Sequence, residues 1–198
     1  MSAKTYRVNE IFYSLQGEGF WTGTPMVFVR LSGCNLFCPF CDTEHASFQE
    51  MSADEIVAAV RAAGGPCQRI CLTGGEPSLQ ADEALLEAFH QAGYLVHMET
   101  NGTRELPAGL DWVTLSPKNQ VVGLKGNGTV VIGKADEVKL VLAPGVDPSA
   151  WESFPAAWHF LQPCDEGGRM NTAEVIAFIQ DHPLWRLSLQ THKMLNIR

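Results

Sequence analysis

Strand-like and helix-like segments alternate along most of this chain, and that order constrains its fold more than any other feature. Six segments have the length and the apolar, β-branched content of buried strands: MVFVRLSG, RICLTGGEP, YLVHMETNG, WVTLSPK, EVKLVLAPG and WHFLQPCDEGG. Helices are predicted between the capping box at Ser52 and the stop at Gly64, over ADEALLEAFHQAG, and from Asn171 or Thr172. This order predicts parallel strands joined by crossover connections.

The length of the chain limits how complete that fold can be. With 198 residues and no helix between several later strands, a full eight-fold barrel does not fit. We therefore predict one domain over residues 1–198: an abbreviated, partial TIM-like α/β barrel with a mostly parallel sheet and reduced helical cover. The loose stretch Gly123–Gly133 predicts a mobile loop, and LWRLSLQTHK closes the chain. Functional groups are expected at the carboxyl ends of the strands.

Composition narrows the classes of partner and compartment. A net charge of -8 argues against broad binding to nucleic acid or to anionic membranes, which need a basic surface. The N-terminus MSAKTYRVNEIFYS lacks the apolar stretch of a signal peptide, and no run reaches the ~18 apolar residues of a membrane span. We expect a cytoplasmic protein, in which six cysteines are ligands, catalytic groups or core residues rather than disulfides.

Three of these cysteines lie within eight residues, at Cys34, Cys38 and Cys41. Thiolates are the soft ligands of iron–sulfur clusters, and three of them leave one iron of a cubane open to another ligand. The neighbours expected to shield such a cluster from water are Leu36, Phe37, Pro39 and Phe40. Two other interpretations stay open: a zinc knuckle completed by His45, and three unrelated core cysteines. Cys67 and Cys71 repeat the Cys-x-x-x-Cys spacing of Cys34 and Cys38, but Cys71 lies in an apolar strand and is expected in the core. Cys164 is not expected to ligate a cluster.

A second motif, Thr73-Gly74-Gly75-Glu76-Pro77, follows the next predicted strand. Glycines allow a backbone to approach a ligand closely, and carbonyl and carboxylate oxygens suit an ammonium group. Together with the spacing of Cys34, Cys38 and Cys41, this turn resembles the radical S-adenosylmethionine (SAM) superfamily. That resemblance implies a single radical SAM domain with a [4Fe–4S] cluster that cleaves SAM to a 5′-deoxyadenosyl radical.

A narrower resemblance covers essentially the whole chain. It is similar to 7-carboxy-7-deazaguanine synthases in the segments Ser14–Gly19, Arg30–Gly33, Cys41–Thr43, Ser116–Lys118, Leu161–Pro163 and Ser188–Lys193. The family contracts the ring of 6-carboxy-5,6,7,8-tetrahydropterin with loss of ammonia, on the way to queuosine and other deazapurines. The radical takes a hydrogen from the pterin and the product radical takes it back, so SAM is regenerated. Some members carry an insertion between the first two cysteines, which this chain lacks.

The resemblance also implies roles for particular residues. The cluster ligands are Cys34, Cys38 and Cys41, and Thr43 presents its hydroxyl to a Mg²⁺ ion, which accepts few protein ligands. The SAM site comprises Gly75, Glu76, Ser116, Pro117, Lys118, Gln162, Pro163, Cys164 and Asp165. The pterin site comprises Leu15, Gln16, Gly17, Glu18, Arg30, Thr73, His192 and the terminal carboxylate of Arg198.

Several assignments have alternatives. Arg30 is expected to fork onto the substrate carboxylate, or else to pair with Glu18. Thr43 either binds Mg²⁺, with Asp42 supporting the metal's waters, or caps a turn. Glu99–Gly102 is either a turn at the end of a strand or a ligand contact, and a ligand contact is equally undecided for His192. No general base is evident.

Three hypotheses for the function of the protein remain open. Beside the pterin enzyme stand a glycyl-radical activase, which lacks Gln16 and Arg30, and a non-catalytic iron–sulfur or zinc module, which does not need the Gly-Gly turn. The expected partners of the enzyme are a pterin, a reductase or flavodoxin-type electron donor, and a second copy of the chain.

Overall fold

The computed structural model describes residues 4–165 and 168–198. Its described residues form one nine-stranded sheet in the order β3-β1-β2-β4-β5-β6-β7-β8-β9. The strands are β1 Thr5–Leu15, β2 Pro25–Leu31, β3 Gln49–Ser52, β4 Arg69–Gly74, β5 Leu95–Thr100, β6 Trp112–Leu115, β7 Glu137–Leu142, β8 Trp158–Pro163 and β9 Trp185–Leu187. Strands β2 and β4 to β9 are parallel neighbours in chain order, and the sheet does not close on itself. The predicted partial barrel is confirmed.

The antiparallel edge of the sheet was not predicted. Strand β1 pairs antiparallel with both β2 and β3. Its sequence TYRVNEIFYSL mixes polar and apolar residues without a long apolar run, so it lacks the pattern of a buried strand. Strand β3 has four residues and no buried one, which leaves an equally weak pattern.

Four helices form in the described part of the chain: α1 Ala53–Gly64, α2 Glu83–Gln91, α3 Thr172–Asp181 and α4 Thr191–Leu195. The capping box is confirmed, since the Ser52 hydroxyl accepts from the Glu55 amide while the Glu55 carboxylate accepts from the Ser52 amide. Helix α3 starts where expected, but α4 was missed because five exposed or half-exposed residues give no apolar periodicity. Two short 3-10 helices, Pro77–Leu79 and Pro148–Trp151, replace longer crossovers.

The apolar core lies between the outer face of the sheet and the helices. Ile70, Leu72, Val96 and Met98 pack with the apolar faces of α1 and α2, while Leu140 and Leu161 pack around Val175 of α3. Because strand side chains alternate, the residues between them point to the concave side. That alternation places Cys71, His97, Glu99 and Lys139 inside the partial barrel.

The concave side is closed at one end and open at the other. At the amino ends of the strands, Phe20 and Trp21 pack against Trp112 and Trp158 with ring centroids 5.0–5.4 Å apart. The opposite end, where β2, β4 and β5 finish, stays open. This leaves a polar interior that is reached from the carboxyl ends of the strands, as the sequence predicted.

The C-terminal segment bridges the gap between the last parallel strand and β1. The Thr191 amide and hydroxyl both donate to the Gly17 carbonyl, at 2.9 and 3.0 Å. The Gly19 amide donates to the Ser188 hydroxyl at 3.0 Å, and the Ser14 hydroxyl donates to the Arg198 carboxylate, the group expected at the pterin site. Helix α4 therefore covers one side of the opening that a complete barrel would close with further strands.

Two further predicted segments are a loop without regular structure and a strand whose following turn is described only in part. Gly123–Gly133 contains no helix or strand, although Phe37 and Lys125 pair across an isolated bridge. The predicted segment WHFLQPCDEGG forms β8 up to Pro163, and its residues Glu166 and Gly167 lie outside the described residues. Within the described ranges, no helix has both the length and the apolar character needed to cross a membrane.

Candidate active site

A cavity of about 820 Å³ opens at the carboxyl ends of the strands. Pockets for drug-sized ligands span roughly 300–1,000 Å³, so this cavity has room for a cofactor beside a heterocyclic substrate. Every site residue expected from the sequence lines it except Pro117, whose neighbours Ser116 and Lys118 do. The cavity thus collects residues from β1, β2, the cysteine loop, β4, β5, the turn after β6, β7, β8 and the C-terminal segment.

The cysteine loop forms one wall of the cavity. Cys34, Cys38 and Cys41 all line it, the first two half-buried and the third exposed. Burial raises the pKa of the Cys34 and Cys38 thiols, and the neighbouring cysteines add to that shift. Three thiolates this close repel one another, which a bound cationic iron centre would relieve. Among the described residues, no three His, Cys, Asp or Glu side chains converge on the position of a single metal ion.

The predicted apolar shield is correct only in part. Leu36 is buried and lines the cavity with Pro39 and Phe40. Phe37 was expected beside them but is 65% exposed, because its backbone pairs with Lys125 and turns its ring away from the cavity.

The Gly-Gly turn lets two backbone segments meet. A Cβ on Gly75 would lie 2.1 Å from the Gly33 carbonyl oxygen, and one on Gly74 would lie 2.1 Å from that of Leu31. Gly74 also has a φ of 126°, a conformation that favours glycine. The two glycines therefore allow the end of β4 to pack against the start of the cysteine loop. From the sequence they were expected to allow close approach to a ligand rather than this contact between two backbone segments.

Glu76 lies at this turn with its carboxylate already engaged. One oxygen accepts from the Thr100 hydroxyl at 2.7 Å and the Ser78 amide at 3.0 Å, and the other accepts from the Asn101 amide at 2.7 Å. The side chain is 1% exposed. Glu76 thus fixes the turns after β4 and β5, and its carboxylate has little capacity left for the ammonium group expected from the sequence.

A buried ionic network forms the floor of the cavity. The Lys139 ammonium donates to Glu99 at 3.1 Å and to Glu18, and the Gln16 amide donates to Glu99 at 3.0 Å. The Lys139 side chain is 5% exposed. Gln16 also accepts from the Glu18 amide at 3.1 Å, so both ends of the amide expected to contact the heterocycle have protein partners.

Lys139 controls the charge of this floor. Burial alone would lower its pKa, but the Glu18 and Glu99 carboxylates outweigh burial and raise it. Burial opposes ionisation of Glu18, yet the Lys139 ammonium overcomes it and lowers the pKa of Glu18 to about 2. Lys139 was missed from the sequence. A lysine in the apolar strand EVKLVL, on the same face as Glu137, was the available signal, because lysine is rarely buried without a partner.

Two guanidinium groups share one carboxylate at the mouth of the cavity. Arg30 donates to Glu10 at 2.8 Å, and Arg198 donates to the other oxygen of Glu10. The alternative pairing of Arg30 with Glu18 is therefore wrong, since Glu18 pairs with Lys139. A guanidinium group has further N–H donors beside the one that each uses on Glu10, so Arg30 and Arg198 retain capacity for an anionic group on a ligand. Glu10 was missed because it lies on the unpredicted strand β1.

The C-terminal segment forms another wall of the cavity. His192 packs so closely on Gly17 that a Cβ there would lie 2.1 Å from His192 Nδ1. Lys193 forms an ion pair with Asp42, which is next to Thr43. Thr43 and Asp42 both line the cavity, and no turn-capping hydrogen bond from the Thr43 hydroxyl is found in the described ranges.

The residues expected at the cofactor also line the cavity, apart from Pro117. The Lys118 ammonium donates to the carbonyl and hydroxyl of Ser116, at 2.7 and 2.5 Å, and burial lowers its pKa. The Gln162 amide donates to Glu18 at 3.3 Å and accepts from Ser188. Cys164 is buried and packs with Val121 and Ala143, consistent with a core residue, while Asp165 is exposed.

Known proteins resemble this chain in sequence over most of its length. The family model described as "Radical SAM superfamily" matches residues 28–119. A 7-carboxy-7-deazaguanine synthase of Bacteroides thetaiotaomicron is 53% identical, over 97% of this chain and 98% of the relative. The enzyme of that name from Bordetella pertussis is 40% identical, over 97% of this chain and 99% of its own.

The chain belongs to the 7-carboxy-7-deazaguanine synthase family. The fold agrees, because the crystal structure of QueE from Escherichia coli superposes with a TM-score of 0.77 at 28% identity, covering 93% of each chain. Family membership implies a [4Fe–4S] cluster and SAM as cofactors. The residues present fit both: three thiols face one cavity, and the Gly-Gly turn and Ser116 lie beside them.

Proposed function

We propose that this protein converts 6-carboxy-5,6,7,8-tetrahydropterin to 7-carboxy-7-deazaguanine by ring contraction with loss of ammonia. The observation that supports this most is the meeting of two kinds of residue in one cavity. The three cysteines and the Gly-Gly turn line one side, while the ionic floor and the Arg30–Arg198 pair line the other. A radical generator thus adjoins a polar pocket for an anionic heterocycle.

The chain's own residues divide the work. Cys34, Cys38 and Cys41 hold the cluster, which when bound supplies the electron that cleaves SAM. Gly75, Ser116, Lys118 and residues 162–165 position SAM, whereas Glu76 acts through the turn that it braces. Arg30 binds the substrate carboxylate, a pairing that guanidinium groups make strongly. Leu15 to Glu18, Thr73, His192 and Arg198 enclose the ring and exclude water.

Further parts of the proposal concern ions, partners and compartment. Thr43 presents its hydroxyl to Mg²⁺, with Asp42 beside it, so omitting magnesium should slow turnover. Residues 1–198 act as one radical SAM domain in the cytoplasm, reduced by a flavodoxin-type donor. A second copy covers sheet surface that the few helices leave exposed, and a monomer in sedimentation at micromolar concentration would refute that part.

The test of the cluster assignment is a matched pair of cysteine variants. Cys38→Ala removes a cavity-lining thiol, whereas Cys67→Ala removes one that hydrogen-bonds the Pro25 carbonyl and does not line the cavity. After anaerobic reconstitution, Cys38→Ala should lose iron and product formation, and Cys67→Ala should keep both. Pterin conversion by Cys38→Ala would contradict the proposal, and zinc in place of iron in the wild type would favour the non-catalytic module.

A glycyl-radical activase is the alternative within enzymes. It acts on a protein, and so has no need of the buried Gln16–Glu99–Lys139 floor or of Arg30 in the same cavity. These groups favour a small polar substrate. Absence of contracted product, together with SAM cleavage dependent on a protein partner, would reverse this preference.

A further inference from the structure

Asn101, in the turn directly after β5, links that turn to the cysteine loop. Its backbone amide donates to the Glu76 carboxylate at 2.7 Å, and its side-chain NH₂ group donates to the Asn35 side-chain oxygen at 3.1 Å. Its own side-chain oxygen accepts from the amide and the hydroxyl of Thr103, at 3.0 and 2.7 Å. Asn101 is buried, and both lone pairs of this oxygen are used inside the protein.

The side chains of Asn35, Thr103 and Asn101 form a closed cycle of hydrogen bonds. The Asn35 NH₂ group donates to the Thr103 hydroxyl at 2.8 Å, the hydroxyl donates to the Asn101 oxygen, and the Asn101 NH₂ group donates back to Asn35. A backbone amide can only donate, so the Thr103 amide keeps the Asn101 oxygen on its own side and directs the NH₂ group toward Asn35. One orientation of each side-chain amide therefore satisfies the cycle.

Asn35 lies between Cys34 and Leu36, at the start of the cysteine loop. The Leu36 amide donates to the Cys34 sulfur, with 3.4 Å between nitrogen and sulfur. The anchored Asn35 side chain thus fixes the backbone segment that directs this hydrogen bond. Reduction adds negative charge to an iron–sulfur cluster, and hydrogen bonds to its sulfurs help to set the potential because they stabilise that charge.

We propose that Asn101 is a positioning residue for the iron–sulfur cluster: through the Asn35 side chain it holds the Leu36 amide on the Cys34 sulfur, and so raises the reduction potential of the cluster. This inference rests on the cluster assigned in the proposed function. Glu76 contributes, because its carboxylate holds the Asn101 amide. The turns after β4 and β5 thus act on the first cysteine through one chain of hydrogen bonds.

Removing either asparagine side chain should have nearly the same effect. Asn35→Ala and Asn101→Ala each break the bond between the two side chains, which releases the Leu36 amide from the Cys34 sulfur. The reduction potential should therefore shift to a more negative value in both variants. Because the two residues act through one bond, the double variant should shift the potential no further than either single variant.

The experiment is an anaerobic redox titration of cluster-loaded protein, without SAM or substrate, followed by electron paramagnetic resonance of the reduced cluster. Asn127→Ala is the matched control. The Asn127 side-chain oxygen accepts from the Thr129 amide at 3.0 Å, the same local bond that Asn101 makes with Thr103, but Asn127 is exposed and does not line the cavity. The control should keep the wild-type potential and spectrum.

The size and additivity of the shifts separate the outcomes. A wild-type potential in Asn35→Ala, or shifts that add in the double variant, would overturn the inference. If an alanine variant does not fold or loses its iron, Thr103→Val removes only one hydroxyl of the cycle, and an unchanged potential in that variant would overturn it. Wild-type protein that binds no iron–sulfur cluster would instead contradict the proposed function.

Discussion

At the scale of single residues, Lys139 decides the electrostatics of the interior. Its ammonium is the cation that lets Glu18 stay ionised despite burial, and it also pairs with Glu99. Glu18 is faced by Lys139, Gln162, Gln190 and His192, and the pKa of Glu18 falls to about 2 from its ordinary 4.5. A carboxyl with a lowered pKa stabilises the folded state above its ordinary pKa, and that contribution is lost as the pH falls from 4.5 towards 2.

Lys139→Met should reverse this pH dependence. Without the ammonium, burial raises the pKa of Glu18, so the charged carboxylate destabilises the variant by about 3–5 kcal/mol near neutral pH. The deficit relative to wild type should shrink as the pH falls from 7 to 5, because protonation of Glu18 removes the buried charge. Urea unfolding at several pH values measures it. Lys4→Met is the control, since its ion pair with Asp82 is exposed and contributes at most about 1 kcal/mol.

At the scale of elements, the sheet positions the site through one close contact between loops. The turn after β4 and the loop after β2 approach until the backbones of Gly75 and Gly33 touch. The Glu76 amide donates to the Gly33 carbonyl at 2.9 Å, which holds the cysteine loop on this turn. The two motifs that suggested a radical enzyme are therefore one structural unit.

Gly75→Ala should damage the cluster site without changing any ligand. The new Cβ would lie 2.1 Å from the Gly33 carbonyl oxygen and 3.0 Å from the Cys34 amide, and backbone atoms cannot rotate away. Overpacking of this kind costs about 1–3 kcal/mol, so we expect lower iron content and SAM binding weakened by about tenfold. Gly133→Ala is the control, because its Cβ would meet nothing within 4 Å. Full iron content in Gly75→Ala would refute this account of the turn.

The sequence predicted elements with strong local patterns and missed those that depend on distant partners. The parallel strands β2 and β4 to β8 and the helices α1 and α2 carry apolar runs and capping residues, so they were found, whereas the three-residue strand β9 was missed. Strand β1 and helix α4 are stabilised by pairing with β2 and by contact with Gly17, and neither has its own periodic pattern. Lys139 and Glu10 were missed for the same reason, because the side chains with which they form ion pairs are distant in the sequence.

At the scale of the whole molecule, an acidic protein gathers part of its few cations in one cavity. The net charge is -8, and Arg30, Lys118, Lys139 and Arg198 line this space together with carboxylates such as Glu18 and Glu99. An incomplete barrel makes this possible, since its open side is covered by the C-terminal segment, which contributes His192 and Arg198. The motifs predicted which residues gather here, whereas the pairing of their charges needed the three-dimensional structure.

The most direct test is a product assay with limiting cofactor. Reconstituted protein is incubated anaerobically with dithionite, excess carboxytetrahydropterin and less SAM than substrate, and the products are quantified by mass spectrometry. We expect 7-carboxy-7-deazaguanine in amounts that exceed the SAM supplied, because SAM is regenerated in each cycle. No contracted product, or 5′-deoxyadenosine accumulating in step with product, would contradict the account.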